Sequence, residues 1–395
     1  MLFVVLAAGA CKDEKKPTPP GTDGLGTPKL IPLPSGALPS SSGPAPGPGS
    51  SVAVTAVGDA GTACRIEAGP IAADFSGPAA LAPTPKGVLA IGNDKGAPRA
   101  FTIEGKGTNA TALASTSLVP CAWAKGVSFC PEPTGAVHRV EGGKDDVAFH
   151  ARAGSRIAAA EVGGHAVVAF IAEQKTTEGT KQIAQLWSDD GQTARLSDEG
   201  NGATFVDLAA RDGEVVAMFI DAHMGMTPVH ARTIGWKNRA TLGADTVLFV
   251  AGNAEAETRG AIATRHDKGP SFALVPIAKD ITAFGVATIE IAPTPKVDAP
   301  VSWSLYDNGL DPAPIAATHD GARVLVARVR PFGGGAIAPK VLELGALDDA
   351  GKYTSYGIVP THGRPTHVAL LADATGAWLT YTDEQRTWVE RRVCP

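Results

Sequence analysis

The feature that most constrains this chain is a repeat. An apolar strand, a tight turn containing glycine and a second, more strongly apolar strand occur as L-A-P-T-P-K-G-V-L-A-I-G from residue 81 and C-A-W-A-K-G-V-S-F from 121. The unit returns as I-A-A-A-E-V-G-G-H-A-V-V-A-F from 157 and V-D-L-A-A-R-D-G-E-V-V-A-M-F-I from 206. Two later copies are I-A-A-T-H-D-G-A-R-V-L-V-A-R-V from 315 and V-A-L-L-A-D-A-T-G-A-W-L-T-Y from 368. The turn glycines are Gly87, Gly126, Gly164, Gly213, Gly321 and Gly376, and the first three intervals are 39, 38 and 49 residues. The interval from Gly213 to Gly321 is 108 residues, wide enough for one or two weaker copies, for which T-V-L-F-V-A-G from 246 and F-G-V-A-T-I-E-I-A from 284 are the candidates.

A further strand and a turn of acidic residue plus glycine follow many copies, as in Q-L-W-S-D-D-G-Q and L-D-D-A-G-K-Y. Asp caps its own backbone in such turns and Gly accepts positive φ. One repeat therefore holds about four strands in roughly 40 to 48 residues, the period of a β-propeller blade. The chain is 44% hydrophobic and 19% charged, with 46 Gly and 31 Pro, so short apolar runs broken by turn residues dominate it, as in all-β proteins. The reading is an all-β protein: a β-propeller spanning residues 60–395 with about seven four-stranded blades, six or eight also fitting the length. The competing architecture is two β-sandwiches. R-T-W-V-E-R-R-V-C-P at the C-terminus reads as a closing strand, with Trp388, Glu390 and Arg392 on one face and Val389, Arg391 and Val393 on the other.

Two turns carry a resemblance. D-K-G-P-S-F (Asp267 to Phe272) and D-E-Q-R-T-W (Asp383 to Trp388) resemble the S-x-D-x-G-x-T-W Asp-box of sialidase-type propellers. Arg265 replaces the leading Ser in the first, and Gln385 replaces the Gly in the second. The resemblance implies a propeller, and sialidase chemistry would add an arginine cluster gripping a carboxylate and a Tyr–Glu nucleophile. The tyrosines are Tyr306, Tyr353, Tyr356 and Tyr381, of which Tyr381 reads as part of a turn. No catalytic residue is assigned. In general style the chain is also similar to proline-tethered lipoproteins of bacteria with GC-rich genomes.

The N-terminus supports an exported location. M-L-F-V-V-L-A-A-G-A-C has the apolar run, the small residues Ala8, Gly9 and Ala10, and the cysteine of a lipoprotein signal peptide over residues 1–11. Cys11 is then the lipidation site and the membrane is contacted through its lipid. The apolar run is short and no Lys or Arg precedes it, as would follow if translation began upstream. No stretch reaches the roughly 20 apolar residues of a spanning helix. Residues 12–55, rich in Pro, Gly and Ser, read as a disordered tether with too few large apolar groups to offset the entropy of ordering. The expected location is the cell envelope.

Four further cysteines in an exported chain read as two disulfides, with three connectivities open. A two-residue turn at Lys125-Gly126 puts Cys121 opposite Cys130 at a non-hydrogen-bonded position, where Cα atoms approach to about 4.5 Å. Cys64 and Cys394 remain, and joining them would tie the start of the domain to its end. Four free buried thiols are the alternative.

Chemistry-bearing motifs are sparse. D-A-H-M-G-M-T-P-V-H places Asp221, His223, Met224, Met226 and His230 in one run, and thioether with imidazole suits copper. An ordinary hairpin loop explains the run as well. Y-D-N-G-L-D-P offers Asp307, Asn308 and Asp311 to calcium, without the spacing or terminal Glu of an EF-hand. There is no G-x-S-x-G elbow and no Walker or Rossmann glycine pattern after a strand. A net charge of −5 and pI near 6.0 give no basic surface for nucleic acid. The expectation is an envelope protein whose propeller binds a protein or glycan without a cofactor, with a carbohydrate-active propeller enzyme and a metal-binding protein as alternatives.

Overall fold

The computed structural model describes residues 62–395 except 74–76, 85–86, 95–96, 105–106, 113–120, 143, 178, 198–201, 212, 222–225, 253–260, 264–270, 279–283, 292–294, 298–300, 306–313, 321, 333–338, 374 and 385. All the described residues belong to one unit, Val54–Pro395. The signal peptide, Cys11 and the tether lie outside them.

Among the described residues the chain forms strands and no helix. It opens with β1 (Arg65–Ala72). Blade 1 holds β2 (Ala80–Thr84), β3 (Gly87–Asp94), β4 (Ala97–Glu104) and β5 (Gly107–Ala112). Blade 2 holds β6 (Ala122–Ala124), β7 (Val127–Pro131), β8 (Ala136–Glu141) and β9 (Lys144–His150). Blade 3 holds β10 (Ala158–Val162), β11 (His165–Thr176), β12 (Gly179–Ser188) and β13 (Thr193–Arg195). Blade 4 holds β14 (Ala203–Arg211), β15 (Glu214–Asp221), β16 (Met226–Trp236), β17 (Ala240–Leu242) and β18 (Thr246–Gly252). Blade 5 holds β19 (Ala261–Ala263), β20 (Phe272–Ala278), β21 (Phe284–Glu290) and β22 (Val301–Leu305). Blade 6 holds β23 (Ile315–His319), β24 (Val324–Pro331), β25 (Lys340–Leu347) and β26 (Tyr353–Val359). Blade 7 holds β27 (His367–Asp373), β28 (Gly376–Thr382) and β29 (Thr387–Val393), with β1 as its fourth strand.

Every sheet is an antiparallel meander, here called A to D from first strand to last. The A strands touch in the order β2, β6, β10, β14, β19, β23, β27 and back to β2, which closes a ring of seven. Two sandwiches are thereby excluded. The long interval holds one further blade. Thr246–Gly252 is part of blade 4, because β17 and β18 pair with successive stretches of β16 as one outer strand in two pieces. Phe284–Glu290 is the C strand of blade 5.

The repeat's most apolar strand is the B strand, and its position explains why. Each blade is pressed between two others, so a central strand loses water on both faces. Ala166–Ile171 of β11, Val215–Asp221 of β15 and Val324–Val329 of β24 are buried without alternation. The core is accordingly a set of layers between blades, such as Val167, Ala169 and Leu186 against Val206, Ala217 and Phe219 between blades 3 and 4. Full burial of each large apolar side chain contributes about 1.5–3 kcal/mol.

Among the described residues, the layer between blades 1 and 2 includes Ala82, Ile91, Cys121 and Cys130 with Leu89 and Trp123. The Cys121–Cys130 disulfide lies in it. Lys125 (φ 51°) and Gly126 (φ 77°) form the two-residue turn, both in the left-handed region of a type I′ hairpin. The register runs Ala124 to Val127 and Ala122 to Phe129, so the cysteines fall opposite one another with Cα atoms 4.3 Å apart.

Ring closure is the second use of cysteine. β1 pairs antiparallel with β29, from Arg65 opposite Val393 to Ala72 opposite Trp388. The Cys64–Cys394 disulfide stands where the other blades have a C–D turn. The chain thus joins its own ends after 330 residues of separation.

Candidate functional site

The up-and-down order of strands gives the ring two ends. A–B and C–D turns lie at one; B–C turns and the D–A crossings between blades lie at the other. A crossing must span three strand spacings of about 4.8 Å each, roughly 14 Å, before entering the next blade. Crossings such as Ala72 to Ala80 and Ala112 to Ala122 are accordingly long, while A–B turns such as Ala124 to Val127 are tight. The Cys64–Cys394 bridge, and with it the entry of the chain into the ring, lies at the A–B end.

The run from Asp221 to His230 is at the B–C end of blade 4. Asp221, ending β15, is buried and accepts hydrogen bonds from the Gly202 N–H (2.7 Å) and Ser197 Oγ (3.5 Å). His230, within β16, directs Nδ1 to Asp245 Oδ1 (2.8 Å) and stacks on Phe219 with ring centroids 4.7 Å apart. Each is engaged by partners outside the run. His223, Met224 and the side chain of Met226, like Asp307, Asn308 and Asp311, lie outside the described residues. Among the described residues no group of three or more His, Cys, Asp or Glu could hold a metal ion.

Of the two Asp-box-like turns, Asp267–Pro270 lies outside the described residues. In the other, Asp383 and Arg386 bound the B–C turn of blade 7, and Trp388 follows in β29. Asp383 Oδ1 accepts from the Arg386 N–H (2.8 Å) and Oδ2 from Trp388 Nε1 (2.7 Å), so one carboxylate closes the turn and orients the indole. His362, from the crossing into blade 7, stacks on Trp388 at 3.7 Å, and the Arg386 guanidinium lies 5.9 Å from the indole centroid. Tyr381 is not in this turn. It belongs to β28, which is buried without a break from Ala377 to Thr382, and its phenol hydrogen-bonds to His362 Nδ1 (3.1 Å). Burial first, then the charges of Glu390 and Asp383, push its pKa upward.

The structure assembles one group that reading the sequence misses. Arg328 on β24 donates through Nε to Glu343 Oε2 on β25 (2.6 Å) and through Nη1 to Ser304 Oγ of blade 5 (2.7 Å). Arg330 Nε stands 3.2 Å from the same carboxylate oxygen. Ser355 Oγ donates to Glu343 Oε1 (2.7 Å), and Tyr353 OH to Oε2 (3.3 Å). The Arg328 guanidinium also lies over the Tyr353 ring, 4.0 Å from its centroid. Gly345 makes room, since a Cβ there would lie 2.5 Å from the Tyr353 hydroxyl. Burial works to raise the pKa of Glu343; Arg328 and the hydrogen bonds from Ser355 and Arg328 outweigh it and hold the carboxyl below the usual range. Burial pushes the Tyr353 phenol up, with Glu343 adding to the shift.

Two arginines, a tyrosine and a glutamate are ingredients of sialidase chemistry, but they meet in the layer between blades 5 and 6. Their charges are taken up by one another, Arg328 and Arg330 by Glu343. A second buried pair, Glu390 and Arg392 on β29 (2.5 Å), lies between blades 6 and 7. One available signal was charge inside runs of large apolar residues, as in V-A-R-V, V-L-E-L and W-V-E-R. A strand buried on both faces retains a charge only with a partner.

The fold and its closure define a seven-bladed β-propeller sealed by an N-terminal strand and a disulfide. No protein-family model matches the chain, and no curated protein matches it in sequence. Solved structures similar to it include the β-propeller domain of Cps50 (Swd1) from Myceliophteria thermophila, at 10% identity and TM-score 0.48, covering 84% of this chain and 100% of that one. BamB from Moraxella catarrhalis is similar at 12% identity and TM-score 0.40, covering 81% and 98%. The Trypanosoma rangeli sialidase in complex with the inhibitor DANA is similar at 11% identity and TM-score 0.41, covering 81% of this chain and 55% of that one.

Proposed function

We propose that this chain is a lipid-anchored envelope protein whose propeller binds a protein or glycan partner on its B–C end. The observation that carries the reading is where the chain enters the ring. Cys64 and Cys394 lie at the A–B end, so a tether preceding them leaves from that end. The long crossings lie at the opposite end, and loops held by a rigid scaffold are where recognition residues concentrate. Two disulfides suit an oxidising compartment, and L-A-A-G-A-C supplies the lipidation signal.

Two experiments test this. Cells expressing the full chain and fed a palmitate analogue are expected to label it, with the label lost in Cys11→Ser; an unlabelled wild type contradicts the anchor. A glycan array and partner capture are then run with the full chain bearing Arg364→Glu and Arg386→Glu at the B–C end, or Lys352→Glu at the A–B end. Loss with the first pair alone is expected, and loss with Lys352→Glu alone contradicts the assigned face. Hydrolysis of a fluorogenic sialoside by the wild type would replace the binding reading with the enzymatic one.

A further inference from the structure

The bonds around Cys64 give the closure a mechanical role. We propose that the Cys64–Cys394 bridge is the point at which tension on the N-terminal segment enters the ring, passing it into β29 and blade 6 and keeping it off β1. Its biological meaning rests on the anchored-tether reading; its mechanics rest on the geometry alone.

β1 is the weak element of the ring. Among the described residues it is an outer strand paired along one edge, and its ladder with β29 is interrupted between Ile66 and Ala68 and again between Ala68 and Ile71. It is also the strand next to the N-terminal segment. A pull applied at Arg65 would meet these pairs one after another and peel the strand away, opening blade 7.

Cys64 stands between that segment and β1. Its bridge leads to Cys394, directly after β29, which is paired on both sides, to β28 and to β1. Tension arriving at Cys64 therefore enters an interior strand. Further bonds hold the same point. Arg392 Nη1 donates to the Cys64 carbonyl (3.1 Å), and the Ala63 N–H donates to the Tyr356 carbonyl of blade 6 (2.6 Å). Arg323, from the A–B turn of blade 6, donates through Nη2 to the Cys394 carbonyl (3.1 Å) and through Nη1 to Tyr356 OH (2.8 Å). Both arginines are themselves fixed, Arg392 by Glu390 (2.5 Å) and Arg323 by Asp320 (3.0 Å). The ties from blade 6 lie outside the β1–β29 ladder and hold the point of entry. Cys121–Cys130 joins two neighbouring strands of blade 2 and lies off this path, which makes it the internal control.

The test is force spectroscopy on the full chain, with one handle near Lys12 and the other a peptide inserted beside the exposed Asn238 in the C–D turn of blade 4. Oxidised wild type is expected to extend without an early step. Reductant, or Cys64→Ser with Cys394→Ser, is expected to add a low-force step of roughly 30–50 Å, the release of β1 and part of the crossing after it at about 3.5 Å per residue. Cys121→Ser with Cys130→Ser is expected to behave as oxidised wild type. If the first double variant does not fold, reductant added to the wild-type tether gives the same comparison. An early step in oxidised wild type, or none after reduction, overturns the proposal and leaves the anchor untouched. Absence of palmitate on Cys11 removes the anchor and leaves the mechanics standing.

Discussion

Glu343→Gln isolates the charge of the buried network between blades 5 and 6. The substitution keeps the side chain's size and removes the carboxylate charge that faces Arg328 and Arg330. The Arg328 and Glu343 side chains are 8% and 5% exposed, so water compensates little of the loss. Removing one partner of a buried pair costs about 3–5 kcal/mol. An exposed pair such as Arg139–Glu141, with side chains 32% and 52% exposed, is worth about 0–1 kcal/mol, so Glu141→Gln is the control. The assay is urea unfolding of the full chain followed by circular dichroism, in which the midpoint falls while the slope is unchanged. The pH dependence adds a second constraint. The folded pKa of Glu343 is depressed, so its contribution is complete above the unfolded carboxyl value of about 4.3 and is lost as pH falls through the folded value. Wild type and Glu343→Gln are therefore expected to differ fully at pH 7 and to converge below about pH 4. A loss under about 1 kcal/mol at pH 7, no greater than for an exposed pair, or a gap that does not change with pH, would mean that Glu343 is not held as a buried ion pair.

The remaining predictions concern closure and turns. Loop-closure entropy assigns a ceiling of about 6 kcal/mol to a bridge across 330 residues and about 2.5 kcal/mol to one across nine, so Cys64→Ser with Cys394→Ser is expected to lower the urea midpoint more than Cys121→Ser with Cys130→Ser; the reverse order contradicts the closure. Gly163 (φ 57°) lies where a Cβ would come 2.7 Å from Trp236 Cβ, whereas Gly164 (φ 79°) has open space. Gly164→Ala is therefore expected to cost about 1–2 kcal/mol of backbone strain and Gly163→Ala distinctly more, measured by thermal melts. Asp383→Ala deletes the acceptor of the Arg386 N–H and of Trp388 Nε1, an expected loss of about 1–3 kcal/mol in the same assay, and a neutral result would mean that the turn holds without it.

The parts legible in the sequence are those set by local chemistry. Gly126 and Gly213 mark A–B turns because only a left-handed turn fits a tight hairpin between twisted strands. The same turn fixed the Cys121–Cys130 register, and the remaining pair followed. What was not legible depends on contacts between distant strands. Thr246–Gly252 reads as a blade's central strand because it is apolar, and only its pairing with β16 shows it to be an outer one. Tyr381 reads as a turn residue because the Asp after it starts the turn two positions later. Arg328 and Glu343 are 15 positions apart and meet because β24 and β25 place them directly opposite. At the Asp221–His230 run, both described side chains already serve the fold, Asp221 with Gly202 and His230 with Asp245. Composition alone does not show that.

The first described strand closes the ring, with Cys64 bonded to Cys394. Peptide mapping of the oxidised full chain by mass spectrometry, digested without reductant, tests it most directly. The expected map has one linked pair joining the peptide of Cys64 to that of Cys394, and a separate link between Cys121 and Cys130. Linkage of Cys64 to either hairpin cysteine, or a free thiol at Cys394, would contradict it.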